Sequence, residues 1–410
     1  MSKSNETTPN VPTLRFKQFQ DNWSSKRLSD IAEVVGGGTP DTTDSTLWNG
    51  GIQWFTPTEV GHSKYVSMSA RTISQLGLQK SSAKILPAGS ILLSSRATVG
   101  ECSITQKDCT TNQGFQNLIP KKGINNEFLY YLAQTQKRHF IKYASGSTFL
   151  EISNSEIKKT KCAVPSIEEQ TEIATFLSAI DRKIEVQNKI ISKYETLIKG
   201  LKNQLYSRKA RFTSHNKIPF PKWEKKQLSE ILSISTEKNG SQYSKEKVLS
   251  VSDEYGVVNQ IKFQGKSFAG QDISNYKVVK SGQIIYTRSP LAAKPFGIIK
   301  IVGNEIGIVS PLYIVNTVNN GYDALFVFYL FDTPQSTNNY LKPLVRVGAK
   351  HTMNISNDEW LSGTVIIPCL EEQKMIAGVL QSIDKKISFE KKVLEILKEQ
   401  KTYLLSKMFI

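Results

Sequence analysis

The segment PSIEEQTEIATFLSAIDRKIE, from Pro165 to Glu185, returns without a gap as PCLEEQKMIAGVLQSIDKKIS, from Pro368 to Ser388, at an offset of 203 residues. The same offset carries Glu168-Glu169-Gln170 onto Glu371-Glu372-Gln373, Asp181 onto Asp384, and Ile152-Ser153-Asn154 onto Ile355-Ser356-Asn357. Nearer the start of each half the offset is 200, where Trp23 and the run Lys26 to Ile31 answer Trp223 and the run Lys226 to Ile231. A repeat this long in a chain of 410 residues means two duplicated domains, not a solenoid. Whatever one half folds into, the other must fold into as well.

The shared endings read as helices. Apolar residues step by alternating fours and threes through Ile173, Leu177, Ile180, Ile184, Ile191, Tyr194, Ile198, Leu201 and Leu205. In the copy they follow through Ile376, Leu380, Ile383, Ile387, Leu394, Leu397, Leu404 and Met408. That spacing is the heptad seam of a coiled coil, and the acidic first turn in SIEEQ reads as a helix start. Lys183, Glu185, Lys189 and Lys193 fall off the seam and belong in water. The seam is broken by Gln187 and by Glu390, which occupy the same place in the two copies, and again by Lys401. If the helices run antiparallel about a pseudo-twofold axis, Gln187 and Glu390 approach each other across the crossing and set the register. Each helix of some 40 residues would be about 60 Å long at 1.5 Å per residue.

Ahead of each helix lies a variable stretch of short apolar runs and turns. Lys84 to Arg96 and Tyr276 to Arg288 read as one hairpin built twice. Asn126 to Thr148 and Tyr322 to Thr352 each read as an apolar helix followed by a loop of small residues. The expected fold class is α+β: two modules of mixed strands and short helices in tandem repeat, separated by two long helices forming an antiparallel coiled coil. The expected boundaries are a polar tail at 1–12, a first module at 13–165, a helix at 166–209, a linker at 210–217, a second module at 218–368 and a helix at 369–410.

Charge narrows the function. The chain carries 53 Lys and Arg against 36 Asp and Glu, a net charge of +17, which suits a polyanion such as nucleic acid. Its longest apolar run, Ala324 to Phe331, is too short to cross a bilayer, and a soluble cytoplasmic protein without a membrane partner is expected. Cys102, Cys109, Cys162 and Cys369 stand singly, so neither a metal site nor a disulfide framework is expected. The glycines of Val34 to Pro40 lack the Gly-Lys-Ser/Thr of a phosphate loop and read as a turn. Pro40-Asp41 and Glu372-x-Lys374 match the letters of a nuclease signature, but Glu372 lies on the long helix, where it is expected in a helical charge pair. His62, His139, His215 and His351 are scattered, and no catalytic residue is assigned.

At this point the arrangement resembles the specificity subunit of type I restriction-modification systems. The strings that carry the resemblance are GGTP (Gly37 to Pro40), LWNGGIQWFTP (Leu47 to Pro57), SSRATVG (Ser94 to Gly100), TNQGFQNLIP (Thr111 to Pro120), and the twice-written helix start. The second module keeps only GQIIYTR and GAKHTMNIS, which suggests a different recognition type. The resemblance implies two target-recognition domains, each reading one half of a bipartite double-stranded DNA site, with the helices holding the spacer. It also implies two modification (methyltransferase) subunits that use S-adenosylmethionine to methylate adenine, and restriction (endonuclease/translocase) subunits that use ATP and Mg. No cofactor is expected on this chain.

Base edges are read by Arg, Lys, Asn and Gln, and phosphates by basic, hydroxyl and backbone groups. On that ground the DNA-contact candidates are Arg71, Lys84, Arg96, Asn112, Gln113, Ser145, Gly146 and Ser147 in the first module. In the second they are Lys277, Arg288, Lys294, Arg346, Lys350 and His351. Arg96 and Arg288 stand out because both follow the same strand of the paired segment. Val186, Leu197, Val393 and Ile396 lie off the seam and could dock a partner. The basic stretch Ser207 to Lys217 reads as linker. Two rival readings remain: a stand-alone duplicated DNA-binding or architectural protein, and a nuclease with hidden carboxylates.

Overall fold

Short apolar runs bounded by Gly, Pro and Ser become short strands, and the heptad seam becomes two helices of unusual length. The computed structural model describes residues 11–146, 150–214, 216–288, 295–347 and 353–410. It divides into two units: unit 1 runs to Ile190 and takes in Glu390–Ile410, and unit 2 is Ile191–Phe389. The first long helix is Ile167–Tyr206 and the second Leu370–Met408, so each unit holds one module and a stretch of both helices. Arg208 takes a left-handed backbone (φ 61°) just past the first helix, which stops short of residue 209.

In unit 1 the strands are β1 (Ser24–Arg27), β2 (Ala32–Gly36), β3 (Trp48–Phe55), β4 (Tyr65–Val66), β5 (Arg71–Ile73), β6 (Ile91–Leu93), β7 (Cys102–Thr105), β8 (Cys109–Thr111), β9 (Gln116–Pro120) and β10 (Lys161–Val164). They form a five-stranded sheet in the order β2-β9-β6-β7-β4, a three-stranded sheet β5-β3-β8, and the pair β1-β10. Ile91, Leu92 and Leu93 of β6 are fully buried because that strand is covered on both faces. Ile91 and Leu93 face a core with Trp23, Phe128, Tyr131, Ile173 and Leu177; Leu92 faces a second core with Phe55, Leu86 and Phe115.

Unit 2 repeats the plan. Its strands are β11 (Glu224–Gln227), β12 (Leu232–Ile234), β13 (Leu249–Ser252), β14 (Gly256–Asn259), β15 (Lys277–Val279), β16 (Ile284–Tyr286), β17 (Ile299–Ile301), β18 (Gly307–Val309), β19 (Ile314–Val318), β20 (Arg346–Val347), β21 (Met353–Asn354) and β22 (Thr364–Ile367). The order β12-β19-β16-β17 matches β2-β9-β6-β7 of unit 1. Ile284 and Tyr286 again face the core shared with the helices, among Phe326, Trp360, Ile376 and Leu380, while Ile285 faces a second core with Val279 and Val309.

One expectation fails here. The paired segments are not hairpins: β15 pairs with β18, and β16 with β17 and β19, while Leu86 bridges Cys109 and β6 pairs with β7 and β9. The turns at Gly89 (φ 89°) and Gly282 (φ 84°) carry the chain from one sheet to another. Runs buried on both faces, such as Ile91–Leu93, have no wet side to present in a free-standing hairpin.

The repeated helix start now has a physical explanation. Gln170 Nε2 donates to Pro165 O (3.0 Å) while its Oε1 accepts from Asn125 N (3.0 Å), at the start of the helix Asn126–Thr135. Gln373 does the same with Pro368 O (2.9 Å) and Asp323 N (2.9 Å), at the start of the helix Ala324–Leu330. The neighbouring glutamates are clamped by arginines. Arg15 donates through Nε (2.7 Å) and Nη2 (2.8 Å) to Glu169, and Arg211 through Nε (3.2 Å) and Nη2 (2.6 Å) to Glu372. The same two guanidinium groups reach Asp21 O and Pro221 O, each at 2.6 Å.

Glu372 is therefore held by Arg211 and not by a charge pair along its own helix. The stretch at 210–217, read as linker, carries that arginine, and its Phe212 packs on the core of unit 2. The polar tail at 1–12 lies outside the described residues except for Val11 and Pro12. Leu14 N donates to Lys407 O at 2.9 Å, which brings the N-terminal stretch against the end of the second helix.

Candidate nucleic-acid interface

In unit 1 the turn after β8 organises the surface. Asn112 Oδ1 accepts from Gly114 N (2.9 Å), a side-chain-closed turn typical of Asn. Gly37 fits against this turn only because it has no side chain: a Cβ there would lie 1.9 Å from Asn112 O. Gly38 N donates to Thr111 O (2.9 Å), and a Cβ on it would lie 2.3 Å from Ala83 N. The glycines thus wedge between two backbones, and Thr39 Oγ1 donates to Gln113 Oε1. Gln113 and Lys84 are exposed, Lys84 following directly on Ala83.

Trp54 Nε1 donates to Gly38 O (2.9 Å) and Trp48 Nε1 to Asp41 O (2.9 Å), which fixes the two indoles edge to face with centroids 5.0 Å apart. Arg71 stands opposite Trp54 in the ladder between β3 and β5, and its guanidinium carbon lies 3.6 Å from the centroid of Trp48. On the far side of the same turn, Ser95 N donates to Gly114 O (2.8 Å). Arg96 there makes a loose ion pair, Nε to Glu151 Oε2 at 3.5 Å, with both side chains nearly half exposed. Ser145 exchanges backbone hydrogen bonds with Glu151 (2.9 and 2.8 Å) and Gly146 follows with φ 122°; Ser147 lies outside the described residues. Asn112, Gln113, Arg96 and Ser145 are thus connected through the turn and the Arg96–Glu151 pair, and Arg71 and Lys84 join them through the glycine loop.

Unit 2 treats its candidates differently. Arg288, itself left-handed (φ 57°), donates from Nε (3.0 Å) and Nη2 (2.7 Å) to Leu312 O and from Nη1 to Ile355 O (3.0 Å). Lys277 Nζ donates to Tyr313 O at 2.5 Å. Burial holds both groups below their ordinary pKa, and for Lys277 the nearby Arg288 adds to it. These two cations support the loop between β18 and β19 from beneath. Arg346 pairs through its backbone with Asn354; Lys294, Lys350 and His351 lie outside the described residues.

A polar cluster escaped the sequence reading. Lys64 Nζ donates to Glu127 (2.9 Å), Ser178 (2.6 Å) and Tyr131 (3.2 Å). Tyr131 donates to Asp181 (2.5 Å), and Lys401, the second seam break, reaches Asp181 at 2.7 Å. Module and both helices of unit 1 are joined there, beside a cleft of about 1070 Å³. Unit 2 has a counterpart in which Tyr329 donates to Asp384 (2.6 Å) and Lys202 pairs with Asp332. The repeat-related pair Asp181 and Asp384 was legible; the lysines were not, because they come from positions that do not correspond.

Among the described residues no cluster of His, Cys, Asp or Glu is placed to hold a metal ion, and no helix is long and apolar enough to cross a membrane. Burial pushes the Cys102 and Cys162 thiols up to about 12, which leaves them without thiolate character.

The family model described as the type I restriction modification DNA specificity domain matches residues 20–196 and again 221–399. The MjaIX type I restriction enzyme specificity subunit of Methanocaldococcus jannaschii is 37% identical over 234 residues, 54% of each chain. The EcoR124I/EcoR124II specificity subunit of Escherichia coli is 27% identical over 203 residues, 45% of this chain and 50% of that one. The chain thus spans about half the length of these curated relatives. A crystal structure of the S subunit of a type I restriction-modification system from M. genitalium shares the fold, with a TM-score of 0.60 at 16% identity over 98% of this chain and 99% of that one. With the domain model matched twice across most of its length, this chain belongs to the type I restriction-modification DNA specificity family, as a tandem of two such domains.

Proposed function

We propose that the chain is the DNA specificity subunit of a type I restriction-modification complex. Each recognition domain reads one half of a bipartite target in double-stranded DNA. The long helices set the unread spacer and dock two modification subunits, which methylate adenine after flipping it from the stack. S-adenosylmethionine, ATP and Mg belong to those and to the restriction subunits; this chain holds no cofactor, performs no catalysis and works in the cytoplasm. The observation that carries this reading is the double match of the specificity domain to residues 20–196 and 221–399. A net charge of +17 supports it, since each phosphate neutralised releases counterions.

Docking on the helices is supported by apolar residues off the seam: Val186 and Leu197 are 54% exposed and Ile396 62%, while Val393 is half-buried. Docking of a partner gives these residues a role that a stand-alone DNA-binding protein does not require. Expressing the chain with the modification subunit encoded beside it in a methylation-free host, and sequencing single molecules, tests the reading. A bipartite adenine-methylated motif that needs both proteins is expected. No methylation, with a modification subunit that is active on another specificity chain, would favour the stand-alone binder.

A further inference from the structure

Most exposed arginines are mobile and contribute little. Arg71 differs in that its plane is fixed while its donors are open. The guanidinium lies 3.6 Å above Trp48, and the indole beneath is itself held by its hydrogen bond to Asp41 O and by Trp54 edge-on. Strand β5 sets the backbone, with Arg71 opposite Trp54. Among the described residues no acceptor meets its N–H groups. By contrast Arg15 and Arg211 are taken up by glutamates, Arg96 by Glu151, and Arg288 by carbonyls.

Immobilising a flexible side chain before binding removes an entropy cost that would otherwise fall on the complex. A phosphate can also take the guanidinium fork, but lysine serves there as well as a point charge, and such a contact carries no sequence information. A base edge gains much, because guanine presents O6 and N7 as two acceptors in one plane, matching the guanidinium fork. Resting on the reading that the first domain binds duplex DNA, we propose that Arg71, stacked on Trp48, donates to O6 and N7 of a guanine in the major groove and specifies that base in one half-site.

The test is selection from a pool of randomised DNA duplexes by the full chain assembled with the modification subunit encoded beside it. Wild type, Arg71→Lys, Arg71→Ala and Trp48→Phe are compared by sequencing the bound fraction. Lysine keeps the charge and loses the fork, so Arg71→Lys and Arg71→Ala should each lose a guanine preference of roughly ten- to a hundred-fold at one position of one half-site, with every other position unchanged. Trp48→Phe should relax the same position partially.

An unaltered motif in Arg71→Lys with uniformly weaker binding would mean a phosphate contact and overturn the proposal. So would loss of selection at both half-sites together, which marks a structural role. If wild type itself selects no motif, the DNA-reading function fails and the proposal with it.

Discussion

Gln187 donates through Nε2 to the backbone carbonyl of Glu390 at 3.0 Å and also to its carboxylate, and both residues are only 8% exposed. They are equivalent positions of the repeat, 203 residues apart. Asp181 and Lys401 also meet, six residues before Gln187 and eleven after Glu390, so these helix stretches run antiparallel. We infer that the pair fixes the register of the crossing, since sliding either helix would break both of these hydrogen bonds at a buried position.

Replacing Gln187 with Leu should destabilise the protein by about 1–3 kcal/mol, because it removes a donor to a buried acceptor. The double variant Gln187→Leu/Glu390→Leu should regain most of that loss, an apolar seam costing nothing in desolvation. Urea denaturation compares them; a double variant as unstable as the single one would count against the register role.

Glu169 is 2% exposed in its side chain, and its counterpart Glu372 is 0% exposed. Arg15→Ala therefore strands a buried charge and should cost roughly 3 kcal/mol, with Arg211→Ala acting alike in unit 2. Glu169→Gln combined with Arg15→Ala should recover part of the loss, since no charge is then left buried. Thermal unfolding of the single and double variants checks this, and an unshifted midpoint in Arg15→Ala would refute it.

The two polar clusters should respond to pH in opposite directions. Burial pushes Asp384 above the usual carboxylate range, against the opposing pull of Tyr329 and Lys202. Its folded form therefore holds a proton more tightly than the unfolded chain does. The stability it contributes is full below about pH 4 and falls as pH rises through the folded value. Burial also pushes Glu127 up, but hydrogen bonds from Ser178, Tyr65 and Lys64 outweigh it and hold the carboxyl low. Its contribution is present above the ordinary glutamate value and is lost as pH falls through the folded one. Asp384→Asn should flatten the decline on the rising side and Glu127→Gln the decline on the acid side, read from stability curves at several pH values.

Arg96 and Arg288 follow the same strand in the two modules, yet the structure gives them different surroundings. Arg96→Ala should leave the melting temperature unchanged and weaken binding at one half-site by about 1–3 kcal/mol if it reads a base, or weaken all sequences alike if it holds a phosphate. Arg288→Ala should lower the melting temperature, since three hydrogen bonds to Leu312 and Ile355 carbonyls are lost. Equal melting temperatures for the two variants would contradict the assignment.

The duplication, the long helices and the polar break at Gln187 and Glu390 were legible because they depend on periodicity, which a single chain displays. The clamps by Arg15 and Arg211 were less so, although Arg-Phe stands at both places, at Arg15-Phe16 and Arg211-Phe212. The two pairs are 196 residues apart while the glutamates they bind are 203 apart, and that mismatch hid the correspondence. The supposed hairpins misled because an apolar run, a glycine turn and another apolar run are compatible both with pairing and with a crossing between sheets; burial on both faces decides, and only the fold reveals it. Among the DNA candidates, charge alone could not separate Arg71, stacked with open donors, from Arg288, turned inward onto carbonyls.

The account turns on a division of labour between two independent reading domains. Its most direct test exchanges residues 13–160 for the corresponding segment of another specificity subunit with a known target, followed by single-molecule sequencing of methylated adenines in a host with the modification subunit. One half of the motif should change to that of the donor, while the other half and the spacer stay as they were. A motif that changes in both halves, or in neither, would contradict the account.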